Sequence, residues 1–197
     1  DAVFELAVSS ATASAIYNIK GGAPSTLGGT VTISAAGNAA WPIRMIGYTT
    51  KPGDACTGSS RPVLAAAAAV LTTGSNWNLY NISITGTADP VWQMGANSIA
   101  RNCKLIGSSG NVRNGINMGT DSMLAECEVV SYRGIAVAGI GQASITNCWV
   151  HDSDIGISIS SANPCAIIGN IVESCVTAVP SPTPFSAPAA IRADTGP

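Results

Sequence analysis

The chain has 197 residues, 46% of them apolar and only 10% charged, with 21 glycines and a net charge of −2. That much apolar material supports a packed core and excludes a disordered chain, while nine scattered Lys and Arg exclude the basic footprint of a nucleic-acid or anionic-membrane binder. The longest apolar run, Val63 to Leu71, is well short of the ~18 residues of a membrane span, and abundant glycine with few charges points to short strands joined by tight turns.

In chain order, Ala15 to Ile19, Gly29 to Ile33 and Pro42 to Ile46 read as strands separated by turns rich in Gly, Pro and Ser. The stretch Gly47 to Pro62, with Lys51-Pro52-Gly53-Asp54, reads as a surface loop. From Leu79 onward a repeat takes over. The segments Leu79-Tyr80-Asn81-Ile82-Ser83-Ile84, Ala100-Arg101-Asn102-Cys103-Lys104-Leu105, Leu124-Ala125-Glu126-Cys127-Glu128-Val129 and Ile145-Thr146-Asn147-Cys148-Trp149-Val150 share the order apolar, any, Asn or Glu, apolar, any, apolar. A fifth copy, Ile167 to Val172, puts Asn170 in the Cys position.

Aligning Ile82, Cys103, Cys127, Cys148 and Asn170 gives spacings of 21, 24, 21 and 22 residues, one coil of a solenoid per repeat. A second strand follows in three of the copies, at Gly115-Ile116-Asn117-Met118, Gly134-Ile135-Ala136-Val137 and Gly156-Ile157-Ser158-Ile159. Each copy is expected to be one short strand whose residues alternate between faces. Stacked coils then give an inward column of Ile82, Cys103, Cys127, Cys148 and Asn170, and an outward column of Ser83, Lys104, Glu128, Trp149 and Ile171. A Lys104–Glu128 pair follows from that register, along with an amide ladder through Asn81, Asn102 and Asn147.

Seven leucines are too few for a leucine-rich solenoid, and the coils are too variable for a hexad-based left-handed helix. The expected fold is all-β, a right-handed parallel β-helix of roughly seven to eight coils, its hand set by the crossover preference. Residues 1–62 form leading, less regular coils and a loop, residues 63–179 the regular coils, and residues 180–197 a Pro-rich loop running into a further coil; both ends read as cuts from a longer chain. Six cysteines without a C-x-x-C pair argue against a zinc or redox motif, and the inward column makes them packing residues. Whether Cys165 and Cys175 are bridged stays open at this point.

The Asn-Cys-x-Val ladder, the Gly-Ile second strand, and Pro42-Ile43-Arg44-Met45-Ile46-Gly47-Tyr48 with its Gly-Asp loop and Arg61-Pro62 resemble the right-handed β-helix superfamily of pectate-lyase-like and polygalacturonase-like enzymes, phage tailspikes and tail fibres, over roughly residues 43–179. The polygalacturonase-like motifs Asn-Thr-Asp, Asp-Asp, Gly-His-Gly and Arg-Ile-Lys are missing, so no catalytic residue of that family carries over, and fold does not decide function.

The one place where an acid-base group meets carboxylates is His151-Asp152-Ser153-Asp154, with Arg133 expected from the coil before. The catalytic candidates are therefore Asp152, Asp154, Arg133 and His151, although Asp-Ser-Asp also reads as a solvated turn. Trp149 and Tyr80 are candidates for stacking a sugar on an outward face. No metal site and no cofactor are expected. The resemblance implies a non-enzymatic structural or receptor-binding module of a phage tail fibre, tailspike or other virion or cell-surface fibre. Such a module would meet a host surface glycan and work as a homo-oligomer or with other virion or surface proteins. The alternative is a polysaccharide lyase or glycoside hydrolase of the same fold.

Overall fold

A computed structural model describes residues 12, 14–22, 25–26, 31–33, 37–54, 56, 58–65, 70–87, 89–107, 114–130, 135–139, 142–159, 165–175 and 192–194. Every strand pair in it is parallel, and the strands fall into three sheets of seven, eight and six members. Sheet one runs Ile16–Lys20, Ile43–Tyr48, Trp77–Tyr80, Ile99–Arg101, Met123–Ala125, Ser144–Thr146, Ala166–Ile168. Sheet two runs Ser25–Thr26, Val63–Ala65, Ser83–Gly86, Lys104–Gly107, Glu128–Val130, Trp149–His151, Ile171–Glu173, Arg192–Asp194. Sheet three holds Val31–Ile33, Leu71–Thr73, Trp92–Gln93, Asn114–Met118, Ile135–Gly139 and Ile155–Ile159. The chain visits the three sheets in turn, which is the winding of a parallel β-helix with the handedness expected of parallel crossovers.

The repeat sits in the predicted register but is not one strand. Its third residue turns the corner between sheets one and two: Asn81, Asn102, Glu126, Asn147 and Gly169 have φ of 58°, 51°, 55°, 53° and 66°. This left-handed conformation suits Asn and Gly and is unusual for Glu. The alternation of faces therefore restarts after each corner, and the residue following it points inward. Ile82, Cys103, Cys127, Cys148 and Asn170 are all buried to 2% exposure or less. On the far side Ser83, Lys104, Glu128, Trp149 and Ile171 are aligned in consecutive strands of sheet two, although Ser83, at 5% exposure, is buried and not part of an exposed face.

The core follows the same stacking. Leu79, Ala100, Leu124, Ile145 and Ile167 line sheet one from within, and Ile84, Leu105, Val129, Val150 and Val172 line sheet two. Each fully buried Leu, Ile or Val in these rows stabilises the fold by roughly 1.5–3 kcal/mol. Trp77 and Trp92 are the largest fully buried side chains, with Tyr17 stacked on Trp77 at a centroid distance of 6.3 Å.

The inward column has a second task. The Cys103 N–H meets Cys127 Sγ at 3.4 Å, and the Cys127 thiol lies 3.7 Å from the Ala100 carbonyl and 3.1 Å from that of Ala125. One coil further on, the Cys148 N–H donates to Asn170 Oδ1 at 2.8 Å while Asn170 Nδ2 donates to the Ile145 carbonyl at 2.8 Å. A thiol and an amide thus do the same job: each serves backbone groups of the preceding coil that a buried corner would otherwise leave poorly satisfied. Trp77 N–H, which donates to Ser98 Oγ at 3.0 Å, repeats the device at another corner.

Cys165 and Cys175 are not bridged to one another in the structure. Burial pushes the Cys127 thiol well above its ordinary range, and burial also raises Cys56 and Cys175. The hydrogen bond to Cys127 lowers Cys103 and Cys148 instead. These two, like Cys56 and Cys127, are nevertheless buried, and with access as necessary as the thiolate form, all four are expected to resist an aromatic disulfide reagent at neutral pH. All six cysteines should react once the chain is unfolded in guanidinium. Rapid native labelling of Cys127, located by peptide mass mapping, would contradict the packing described here.

Candidate functional site

The outward side of sheet two carries the densest set of chemically versatile side chains among the described residues. Parallel pairing places Lys104, Glu128, Trp149 and Ile171 in one row. Val130, His151 and Glu173 form a second row two residues along the strands. Because both rows lie on alternate positions of short strands, they share one face.

Trp149 and His151 are stacked with ring centroids 3.9 Å apart and planes inclined by 23°. Trp149 is 42% exposed, with the imidazole stacked on one face of its indole. Its N–H donates to Glu173 Oε1 at 2.6 Å. The imidazole is held in turn: Nδ1 lies 2.8 Å from Asp152 Oδ2 and Nε2 lies 3.4 Å from Glu128 Oε1. Glu128 Oε1 also takes the Lys104 ammonium at 2.6 Å, the pair expected from the repeat, with an energy of about 1 kcal/mol or less for its partly exposed position. Ile171 and Ile168, at 49% and 53% exposure, leave apolar surface in the next coil.

The candidates from sequence divide accordingly. His151 and Asp152 are brought together, and Asp152 is also the turn residue that the bland reading required, with a φ of 53°. Asp154 is exposed on the turn beyond. Arg133 lies outside the described residues. Trp149 is the exposed aromatic expected, but Tyr80 does not join it. Tyr80 ends a strand of sheet one and aligns with Arg101, Ala125 and Thr146, so three strand spacings, roughly 14 Å along the stack, and a corner separate the two. Two members of the face were not foreseen as such. In the sequence Lys104 reads only as a structural partner, and Glu173 lies one residue past the fifth repeat copy. Its signal was the spacing from His151, one 22-residue coil further on.

The amide ladder is shorter than expected. Asn102 Nδ2 donates to Asn81 Oδ1 at 2.8 Å, and Arg61 clamps Asn102 through its carbonyl and side-chain oxygens at 2.8 and 2.6 Å. At the next corner Glu126 replaces the amide and pairs with Arg101 at 2.7 Å, which holds the Glu126 carboxyl below the usual carboxylate range through that hydrogen bond and the Arg101 charge. These corner groups satisfy one another and the backbone. No group of three or more potential metal ligands occurs among the described residues, and no described helix is long and apolar enough to cross a membrane.

No family model and no curated protein sequence matches the chain. Solved structures do. A pectate lyase, Pel9A, superposes with a TM-score of 0.54 at 11% identity, covering 98% of this chain and 73% of its own. An alginate lyase from Paenibacillus sp. str. FPU-7 gives a TM-score of 0.48 at 13% identity, over 88% of this chain and 63% of its own. The first likeness agrees with the class of fold described above, a parallel β-helix.

Proposed function

We propose that this chain is a glycan-binding β-helix module of a surface-exposed fibre, of the kind a phage tail fibre, tailspike or cell-surface appendage presents to a host glycan, and that it binds without cutting. The observation that carries this reading is the pre-organised indole of Trp149, backed by His151 and fixed at its N–H by Glu173. An aromatic ring held open on a rigid sheet offers a stacking surface with little ordering cost on binding. The fold adds to it, since a solenoid of regular coils makes a stiff shaft with a repeating exterior. The module acts as a homo-oligomer or alongside other proteins of the same particle or surface.

In a tryptophan-fluorescence titration with an oligosaccharide panel, binding is expected to perturb the emission of the intact chain. Trp149→Ala should weaken it at least tenfold, the scale of a lost aromatic anchor. Chain length of the bound polysaccharide should stay constant on long incubation.

A second reading has its own observation: Lys104, Glu128, His151 and Asp152 converge on one face, a set that could move protons during polysaccharide cleavage. The fold likeness to a protein named as a pectate lyase is in keeping with it. Against it stands the mutual engagement of these groups, with Glu128 committed to Lys104 and His151 set between two carboxylates. Shortening of a polysaccharide that stops in His151→Ala would replace the binding reading with this one.

A further inference from the structure

We infer that the Trp149 face selects sugars that are not anionic, taking an amino-sugar chain ahead of a neutral one and rejecting uronates. The inference rests on the glycan-binding reading above and names its ligand class. Three carboxylates surround the aromatic pair. Glu173 lies on the indole N–H at 2.6 Å, Asp152 lies on one imidazole nitrogen at 2.8 Å, and Glu128 lies near the other at 3.4 Å. Asp154 is exposed two residues beyond Asp152. Against them, among the described side chains, stands one ammonium, Lys104, already bound to Glu128 at 2.6 Å. In the following strand Arg192 and Asp194 take the register positions beside Ile171 and Glu173.

The chemistry of such a face is one of acceptance. Carboxylates accept hydrogen bonds and cannot donate them when ionised. The donor that an exposed tryptophan usually offers is consumed, because the Trp149 N–H is committed to Glu173. A ligand stacked on the indole must therefore bring its own donors, as hydroxyl, acetamido and ammonium groups do. A uronate brings a carboxylate instead. Placed on the ring it would come within the Debye length of ~8 Å of the surrounding carboxylates, where physiological salt screens the repulsion only in part. An ammonium gains at the same place, from the carboxylates and from the electron-rich face of the indole.

The test is calorimetric titration of the intact chain with glucosamine, N-acetylglucosamine and galacturonate oligomers of equal length. The glucosamine oligomer should bind tightest and lose its lead as salt is raised. The galacturonate oligomer should bind at least tenfold more weakly than the neutral one. Glu173→Gln should narrow the gap between glucosamine and N-acetylglucosamine severalfold, while Trp149→Ala should weaken all binding at least tenfold. Galacturonate binding as tight as that of the neutral oligomer overturns the charge selection and leaves glycan binding standing. Absence of binding by all three, or binding unchanged in Trp149→Ala, overturns both.

Discussion

Gly47→Ala is expected to destabilise the protein by about 3 kcal/mol, the upper end of what overpacking a tight interior costs, and to shift the guanidinium midpoint without changing the slope. Gly47 is buried in the strand Ile43–Tyr48, beneath the corner of the next coil. A Cβ there would run into the carbonyl oxygen of Asn81 and the ring of Pro62. The carbonyl is backbone at a left-handed corner, with Asn81 at a φ of 58°, so it cannot swing aside as a flexible side chain would. Removing the ring in a Gly47→Ala, Pro62→Ala double variant should therefore restore only part of the loss. An alanine variant as stable as the parent would mean that these two coils are not packed as described.

Asn170→Leu should cost about 2 kcal/mol, lowering the melting temperature by roughly 5 °C for a chain of this size. The substitution keeps the branched shape and the number of heavy atoms and removes the polar ones. The Cys148 N–H then loses its acceptor inside the core and the Ile145 carbonyl loses a donor. Asn170→Cys is the informative partner, because a thiol already performs this service at Cys127. It should recover most of the stability despite being smaller. Equal losses in the two variants would show that volume, and not hydrogen bonding, governs the column.

The inward column, the outward row and the Lys104–Glu128 pair were legible in the sequence because a stacked coil repeats each environment every 21 to 24 residues. A periodic structure writes its contacts as a periodicity. The bend inside the motif was not legible in the same way. Asn at three of the five corners is compatible with a left-handed residue, but Glu126 at the third corner disguises it as strand. The site was half legible. His151 and Asp152 are adjacent in sequence and announced themselves, whereas Glu173 and Lys104 reach Trp149, His151 and Glu128 only through the register of neighbouring coils. Tyr80 failed as a partner because a local pattern cannot tell how many coils separate two outward aromatics.

The hydrogen bonds of the inward column also give the stack a direction in time. A backbone N–H in one coil is completed by a side chain of the coil that follows it, as Cys103 is by Cys127 and Cys148 by Asn170. During synthesis each newly emerged coil is therefore an unfinished surface, and the chain segment that finishes it arrives about one repeat later. Growth of the solenoid resembles the extension of a crystal along one axis, with every layer the template and the debtor of the next. A whole repeat could be added or deleted in the middle of the stack with little harm, whereas a cut between a donor coil and its acceptor would expose a row of polar groups that no rearrangement within that coil can cover.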